Sequence, residues 1–226
     1  MATYDLQEQE QIAELKTWWS MHGSAVATLA ATIALGSLTW QGWQWWQRSE
    51  MTTTGKAYGA LLLAAEKQDV KKVRQLVGDL LNNNSGSAYA GMGAMVAGSV
   101  FVAANDLKSA EAQFSWAQEH ARHKGLRQVS RLREAMVLAE DRQYDAALQV
   151  LDAAPPPAQL AARFDELRGD IHVASGDFSK GAAAYAAALQ AAEAQSGQGL
   201  QVQQAAAFAD ILRDKHDAAK ALGDAS

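Results

Sequence analysis

The chain has 226 residues, no cysteine and a formal net charge of −5, from 20 basic and 25 acidic side chains. The lack of cysteine excludes disulfide and thiolate chemistry. The acidic balance disfavours nucleic-acid binding through bulk positive charge, so we expect no nucleic acid among the partners.

An uncharged segment separates Lys16 from Arg48, and its stretch from Ser20 to Thr39 is 20 residues long. As a helix, that stretch extends about 30 Å, the thickness of a bilayer's hydrocarbon core. A cleaved signal peptide would need a basic leader, whereas four acidic residues and one lysine come first. A helix in a soluble core would need a polar stripe, and residues 24–36 offer only one serine and two threonines. The pattern favours a permanent transmembrane helix, predicted at residues 23–46.

Tryptophans lie on both sides of this segment. Indole rings prefer the headgroup level of a bilayer, where the ring is partly buried and its N–H stays wet. Packing in a soluble core or against a partner is the alternative explanation. We predict that the interfacial anchors are Trp18, Trp19, Trp40, Trp43, Trp45 and Trp46.

Small residues within the segment permit close approach of another membrane helix. We therefore predict a membrane-docking face composed of Ala27, Ala30, Ala31, Ala34 and Gly36. Flanking charge does not decide the orientation, with Lys16 on one side and Arg48 and Lys56 on the other. Long domains cross largely regardless of such charges, so a cytoplasmic amino terminus is compatible with the sequence.

The rest of the chain shows apolar residues at helical spacing and four similar segments. They begin at residues 70, 107, 144 and 178, and are Val70–Leu80, Leu107–Ala117, Tyr144–Ala154 and Phe178–Ala188. A repeat of about 34 residues with small and aromatic residues at fixed places is the tetratricopeptide signature. Those places hold Gly98, Phe101, Ala110, Phe114 and Ala117 in the second unit, and Gly169, Gly181, Tyr185 and Ala188 in the fourth. A generic helical bundle is the alternative.

Polar and glycine residues indicate where the helices of each unit turn. Asn105-Asp106, Gln143 and Gly176-Asp177 are predicted turns within units. Residues 82–86 and 154–157 are predicted to separate units, and a last helix from Leu200 to Leu222 to cap the stack. The aromatic residues are expected to fill the gap between one hairpin and the next. The predicted fold is all-α, with one N-terminal transmembrane helix followed by a tetratricopeptide-like helical-hairpin solenoid.

The chain offers few residues for catalysis or for a cofactor, and we predict none of either. His120 and His123 have a spacing that can chelate a metal on one helix, although an ordinary solvated face explains them better. Arg168-Gly169-Asp170 spells an adhesion tripeptide, but lies at a packing position of a repeat. The nearby charges at residues 163–170 indicate ion pairs at i, i+4 spacing.

Repeat stacks of this kind bind partners in a groove lined by their first helices. Exposed methionine and aromatic side chains suit adaptable peptide recognition, and they equally suit packing. The candidate partner groove consists of Tyr58, Tyr89, Met92, Met95 and Phe101. A basic cluster at residues 122–133 suits anionic headgroups, an acidic partner or a solvated face.

Several stretches taken together resemble a known family. They are Leu15-Lys16-Thr17-Trp18-Trp19 before a span that begins at Gly23, the Trp-rich exit, Asn105-Asp106-Leu107, and residues 165–170 followed by Gly176-Asp177. This layout resembles the ancillary SecYEG translocon subunit family (YfgM-like proteins). Departures are the number of tryptophans at the exit, the Pro155–Pro157 run and the tail after Gly197.

The resemblance implies a bacterial inner-membrane protein with one span. Residues 1–22 would be cytoplasmic and residues 47–226 a periplasmic tetratricopeptide-like domain. It implies a non-enzymatic helper that associates with SecYEG and the chaperone PpiD, passes unfolded secretory proteins to periplasmic chaperones and is linked to envelope stress control. Two alternatives remain: a membrane-anchored scaffold for envelope assembly or stress signalling, and a hidden hydrolase or metal enzyme.

Overall fold

The computed structural model describes the backbone of residues 3–196 and 202–225, and the side chains of residues 11–43, 53–194 and 206–225. These residues form α-helices and no strand, which confirms the all-α prediction. Contacts divide the chain into two units, Met1–Thr53 and Thr54–Ser226. The helices are α1 (Thr3–Glu66), α2 (Val70–Asn84), α3 (Ala88–Ala103), α4 (Leu107–His120), α5 (Lys124–Glu140), α6 (Tyr144–Asp152), α7 (Ala158–Ala174), α8 (Phe178–Ser196) and α9 (Val202–Ala225).

The first unit contains the apolar part of α1. Residues Gln11–Trp43 form a stretch of 33 residues that is long and apolar enough to cross a membrane. Large side chains such as Leu29 and Ile33 are more than 60% exposed, which lipid would favour and water would not. The hydroxyls of Thr28 and Thr32 donate to the carbonyls four residues earlier, at 2.7 and 2.8 Å. Their polar groups are therefore satisfied inside the helix, as a hydrocarbon environment requires.

The second unit is built from helical hairpins that follow the predicted repeat. Each predicted segment begins at the first residue of a helix, namely α2, α4, α6 and α8. Seven residues into these helices stand Val77, Phe114, Leu151 and Tyr185, all at most 3% exposed. The large apolar position of the repeat is therefore a core position in every unit.

One predicted boundary was wrong. Residues 82–84 continue α2 instead of separating units, and the break falls at residues 85–87, where the Ser87 hydroxyl accepts from the Ala90 N–H at 3.1 Å. The separator predicted at residues 154–157 is confirmed, because α6 ends at Asp152 and α7 begins at Ala158. The proline run explains why no helix continues here, because a residue before proline avoids the helical region.

The four turns within the hairpins share one geometry. A residue with a positive φ lies two positions before the start of α2, α4, α6 and α8. These residues are Gln68, Asn105, Arg142 and Gly176. The next residue donates its N–H to a carbonyl five residues earlier, as from Asp106 to Phe101 at 2.8 Å and from Asp177 to His172 at 2.8 Å. This is a Schellman turn, which ends a helix by satisfying its last carbonyls. Asp69, Asp106 and Asp177 then cap the following helices by accepting from a backbone N–H.

The aromatic residues of the second and fourth units pack inside their own hairpins. A Cβ added to Gly98 of α3 would lie 2.5 Å from Cε1 of Phe114 on α4, and one added to Gly169 of α7 would overlap the Tyr185 ring on α8. We expected these rings between successive hairpins, and that expectation was wrong. Glycine removes the side chain that would keep the two helices apart, so the ring lies directly on the helix backbone.

Helix α9 packs on α8 and confirms the predicted closing helix, although its first predicted residues lie outside the described part. Ala209, Leu212 and Ala219 are buried at this contact. Lys215 donates to Asp170 Oδ1 at 2.8 Å and to Glu166 Oε1 at 2.9 Å, which joins α9 to α7.

The charged residues of α7 pair differently from the prediction. Arg168 contacts Asp165 and Asp152, and Arg163 pairs with Glu166, so the pairs within α7 have i, i+3 spacing. Asp170 also accepts from the Tyr185 hydroxyl at 2.7 Å. All three residues of the adhesion-like tripeptide therefore have structural contacts.

Two alanine substitutions test the close approach within a hairpin. Gly98→Ala should lower the free energy of unfolding by about 1–3 kcal/mol, because the new methyl group would overlap the buried Phe114 ring. Gly78→Ala is the matched control, since no described atom lies within 4 Å of a Cβ added there, in the middle of α2. It should raise stability by up to about 1 kcal/mol. Urea unfolding of the full chain in detergent, followed by circular dichroism, measures both. Equal effects of the two substitutions would contradict this packing.

Candidate partner-binding groove

A groove runs along the first helices of the second and third hairpins, α3 and α5. It consists of two cavities of about 370 Å³ each, both lined by Ser99 and Arg133. One cavity continues to Val102, Met136 and Glu140, and the other to Met95, Val96 and Val129. Cavities of this size are within the range that binds ligands or side chains.

Helical spacing brings the groove residues onto one face of each helix. On α3, Met95, Ser99 and Val102 are separated by four and three residues, and on α5 the lining residues are Val129, Arg133, Met136 and Glu140. Side chains at these intervals share a face of an α-helix. Val102 and Met136 are 41% and 43% exposed, so this surface presents apolar side chains to solvent.

Arg133 is the basic side chain common to both cavities. Among the described residues it has no ion pair or hydrogen bond. Arg131, only two residues earlier, is buried and lies 4.6 Å from the centre of the Phe164 ring. Burial lowers the pKa of Arg131, and the positive charge of Arg168 lowers it further. The basic cluster predicted at residues 122–133 is therefore not one surface.

The structure distributes the five predicted groove residues among different environments. Met95 lies in the wall of the groove, where the Ser130 hydroxyl is 3.0 Å from its Sδ. Tyr58 and Tyr89 are half-buried against each other, with ring centres 5.4 Å apart, and line neither cavity. Burial, and then the neighbouring Tyr89, raises the pKa of Tyr58. Met92 is half-buried and also lies outside both cavities.

Phe101 was wrongly predicted as a groove residue. It is 1% exposed and belongs to the core cluster with Leu80, Val100 and Phe114. Its repeat position already indicated packing, and the Arg74 guanidinium covers its ring at 4.6 Å. Val102, Met136 and the separate position of Arg133 were not predicted from the sequence. The signal that would have found them is the spacing of apolar residues left over after the core positions are assigned.

The residues predicted to act in the membrane are exposed on α1. This holds for all five residues of the predicted docking face, and no atom of the described part of the chain lies within 4 Å of a Cβ added to Gly36. Trp18, Trp19, Trp40 and Trp43 are also exposed. Trp45 and Trp46 lie outside the described side chains. The membrane role of these residues stays a prediction.

The two histidines considered for metal binding are not on one helix. His120 ends α4, stacks on Trp116 with ring centres 4.8 Å apart, and its Nδ1 lies 3.0 Å from the Trp116 carbonyl. His123 precedes α5 in the connecting segment. Within the part of the chain that the structure describes, no three potential ligands come close enough to hold a metal ion.

Glu134 lies on a different face of α5 from the groove and is 7% exposed. Burial raises its pKa to about 7; the Ser115 side chain on α4 opposes this shift, and the charges of Glu111 and Glu119 add to it. Among the described residues, its Oε2 has no hydrogen-bond partner. The folded protein therefore holds this proton more tightly than the unfolded chain, in which glutamate has a pKa of about 4.3.

This raised pKa makes stability depend on pH. The free energy of unfolding should fall as the pH rises from about 4.5 to about 7, where only the unfolded chain has released the proton, and level off above. Glu134→Gln should remove this fall in the free energy of unfolding. Between pH 4.5 and pH 8, the variant should therefore gain about 1–3 kcal/mol of stability relative to the parent. Urea unfolding at a series of pH values measures the free energy of unfolding of both proteins. The exposed Glu140→Gln is the control, and an equal pH response in both variants would contradict the assignment.

Comparison with known proteins identifies the fold family. The profile of the tetratricopeptide repeat-like domain matches residues 16–209. This chain belongs to that family. A solved structure described as the MamA RS-1 ArsTM double mutant has a TM-score of 0.50 to it, at 17% identity over 76% of this chain and 90% of that chain. At that identity the likeness shows the fold alone.

Four relatives named ancillary SecYEG translocon subunit are similar to the chain along most of its length. The protein from Haemophilus influenzae is 28% identical, covering 77% of this chain and 84% of the relative. The Aggregatibacter actinomycetemcomitans protein is 28% identical, covering 88% and 97%. The Escherichia coli K12 protein is 25% identical, covering 75% and 81%. These relatives confirm the resemblance found in the sequence.

Proposed function

We propose that this protein is a non-enzymatic ancillary subunit of the SecYEG translocon, which helps pass translocated proteins to periplasmic chaperones. The observation that carries the proposal is the similarity to four proteins of that name over 75–88% of this chain. The two-unit layout supports it, because an apolar helix suits attachment to the membrane and a repeat domain suits binding of other proteins.

The proposed topology is a single-pass protein of the bacterial inner membrane. Residues 1–22 are cytoplasmic, residues 23–46 cross the membrane and residues 47–226 form the periplasmic domain. The apolar stretch supports this arrangement, since its 33 residues exceed the length that a bilayer requires. Trp18 and Trp19 near one end and Trp40 and Trp43 near the other fit two interfaces about one bilayer apart.

Between residues 27 and 34 the span has two unlike faces, and we assign the face with small residues to docking. Ala27, Ala31 and Ala34 fall on one side of the helix, with Ala30 at its edge, whereas Leu29 and Ile33 fall on the opposite side. Gly36 lies about 180° around the helix from Ala27, so it does not belong to this face as predicted. Van der Waals packing drives association of membrane helices, so the side that lets backbones approach suits a protein partner. The side with large apolar residues suits lipid.

The repeat domain is proposed to bind PpiD or emerging unfolded secretory proteins. The groove on α3 and α5 is the surface best suited to this task, since it combines two apolar cavities with exposed Met136 and Val102. Methionine adapts its shape to different partners. The proposal requires no catalytic group and no cofactor.

Site-specific photocrosslinking tests the proposal in living cells. A photoreactive residue at Ala31 should form adducts with SecY, SecE or SecG, because this position lies on the proposed docking face. The same residue at Leu29, two positions and about 200° away around the helix, is the matched control and should react mainly with lipid. A third position, Met136, should yield PpiD or secretory proteins. Mass spectrometry identifies the adducts.

Two outcomes would contradict this proposal. Equal adducts at Ala31 and Leu29 would remove the docking face. Recovery of unrelated envelope proteins from Ala31 and Met136, without any translocon subunit, would favour the membrane-anchored scaffold for envelope assembly or stress signalling.

A further inference from the structure

We propose that the groove on α3 and α5 selects polypeptide segments in which a carboxylate is flanked on both sides by large apolar side chains. The inference rests on the proposed function, in which this groove binds a protein partner. The added point is the chemistry of the bound segment and the residue that recognises it.

The arrangement of Arg133 between two cavities carries the inference. Its side chain lines both cavities, while Val102 and Met136 line one of them and Met95, Val96 and Val129 the other. A segment laid along the groove therefore meets an apolar cavity, a guanidinium and a second apolar cavity in turn. The complementary sequence is apolar, acidic, apolar.

The guanidinium is available to a partner because no described side chain neutralises it. Three other arginines of the repeat domain are engaged: Arg74 with Asp106, Arg163 with Glu166 and Arg168 with Asp165. Arg122, Arg127 and Arg142 are also unpaired among the described residues, but they line neither cavity. Arg133 has no such pair among the described residues. An arginine fork binds a carboxylate through two parallel hydrogen bonds, so it distinguishes glutamate from glutamine and from lysine.

Two further contacts shape the site around this charge. The buried Ser130 donates to the Leu126 carbonyl at 2.8 Å and contacts Met95 Sδ at 3.0 Å, which holds the thioether in the wall of the groove. Glu140 lies seven residues after Arg133, about 10 Å further along the helix axis. It would repel a second carboxylate at that end, so the groove favours an isolated acidic residue over an acidic run.

Binding of three matched peptides tests the inference on the full-length protein in lipid nanodiscs. The fluorescein-labelled peptides are identical except at the centre, which is glutamate, glutamine or lysine, with leucine and valine residues on both sides. Fluorescence anisotropy should show that the glutamate peptide binds about tenfold more tightly than the other two. Arg133→Glu should reverse the order, so that the lysine peptide becomes the tightest. Lys124→Glu, an equal charge change at the exposed start of α5, should leave the order unchanged.

Other outcomes would overturn the inference. Equal affinities for the three peptides, no binding of any, or the same response to Arg133→Glu and Lys124→Glu would each show that Arg133 does not select a carboxylate. Circular dichroism of both variants checks that the helices remain intact. These failures are distinct from failure of the proposed function, because crosslinking of Ala31 to the translocon does not involve the groove.

Discussion

The repeat domain depends on how closely the two helices of each hairpin approach. The second helices of the hairpins are α2, α4, α6 and α8. The residues nine positions before the start of these helices are Leu61, Gly98, Ala135 and Gly169. The residues seven positions after the start are Val77, Phe114, Leu151 and Tyr185. All of them are buried. The sizes of the two residues compensate within each hairpin. The second helix has an aromatic ring where the first helix has glycine, and a smaller apolar residue where the first helix has leucine or alanine. Each hairpin therefore fills a similar volume with different residues, as close-packed interiors require.

This packing determines what remains for function. Gly98 and Phe101 occupy core positions on α3, as do Ala135 and Leu138 on α5. The neighbouring faces of both helices are therefore exposed to solvent. Those faces carry Val102 and Met136, and Arg133 lies between the apolar cavities. The exposed apolar surface of the groove is thus a consequence of the repeat register. The first unit differs, because its exposed apolar residues lie on a helical stretch that is long and apolar enough to cross a membrane.

Much of the fold could be predicted because it depends on local patterns. The starts of α2, α4, α6 and α8 were visible in the repeat, since apolar spacing and the preceding turn residues both mark them. The extension of α2 through residues 82–84 was not, because asparagine is a poor helix former and the exposed Asn82 and Asn83 carry no apolar pattern that would mark them as helical. The groove was predicted only in part. Burial of Phe101, and the opposite environments of Arg131 and Arg133, depend on which face of a helix meets its neighbours.

The central claim is that the span brings a tetratricopeptide-like domain to the translocon. The most direct test replaces residues 20–39 with an unrelated membrane-spanning helix of equal length and leaves the repeat domain unchanged. Both tagged proteins are purified from membranes in a mild detergent, and SecY, SecE and SecG are quantified by mass spectrometry. We expect the translocon subunits to accompany the native chain and to be lost from the exchanged one. Equal recovery with both proteins, or no recovery with the native chain, would contradict it.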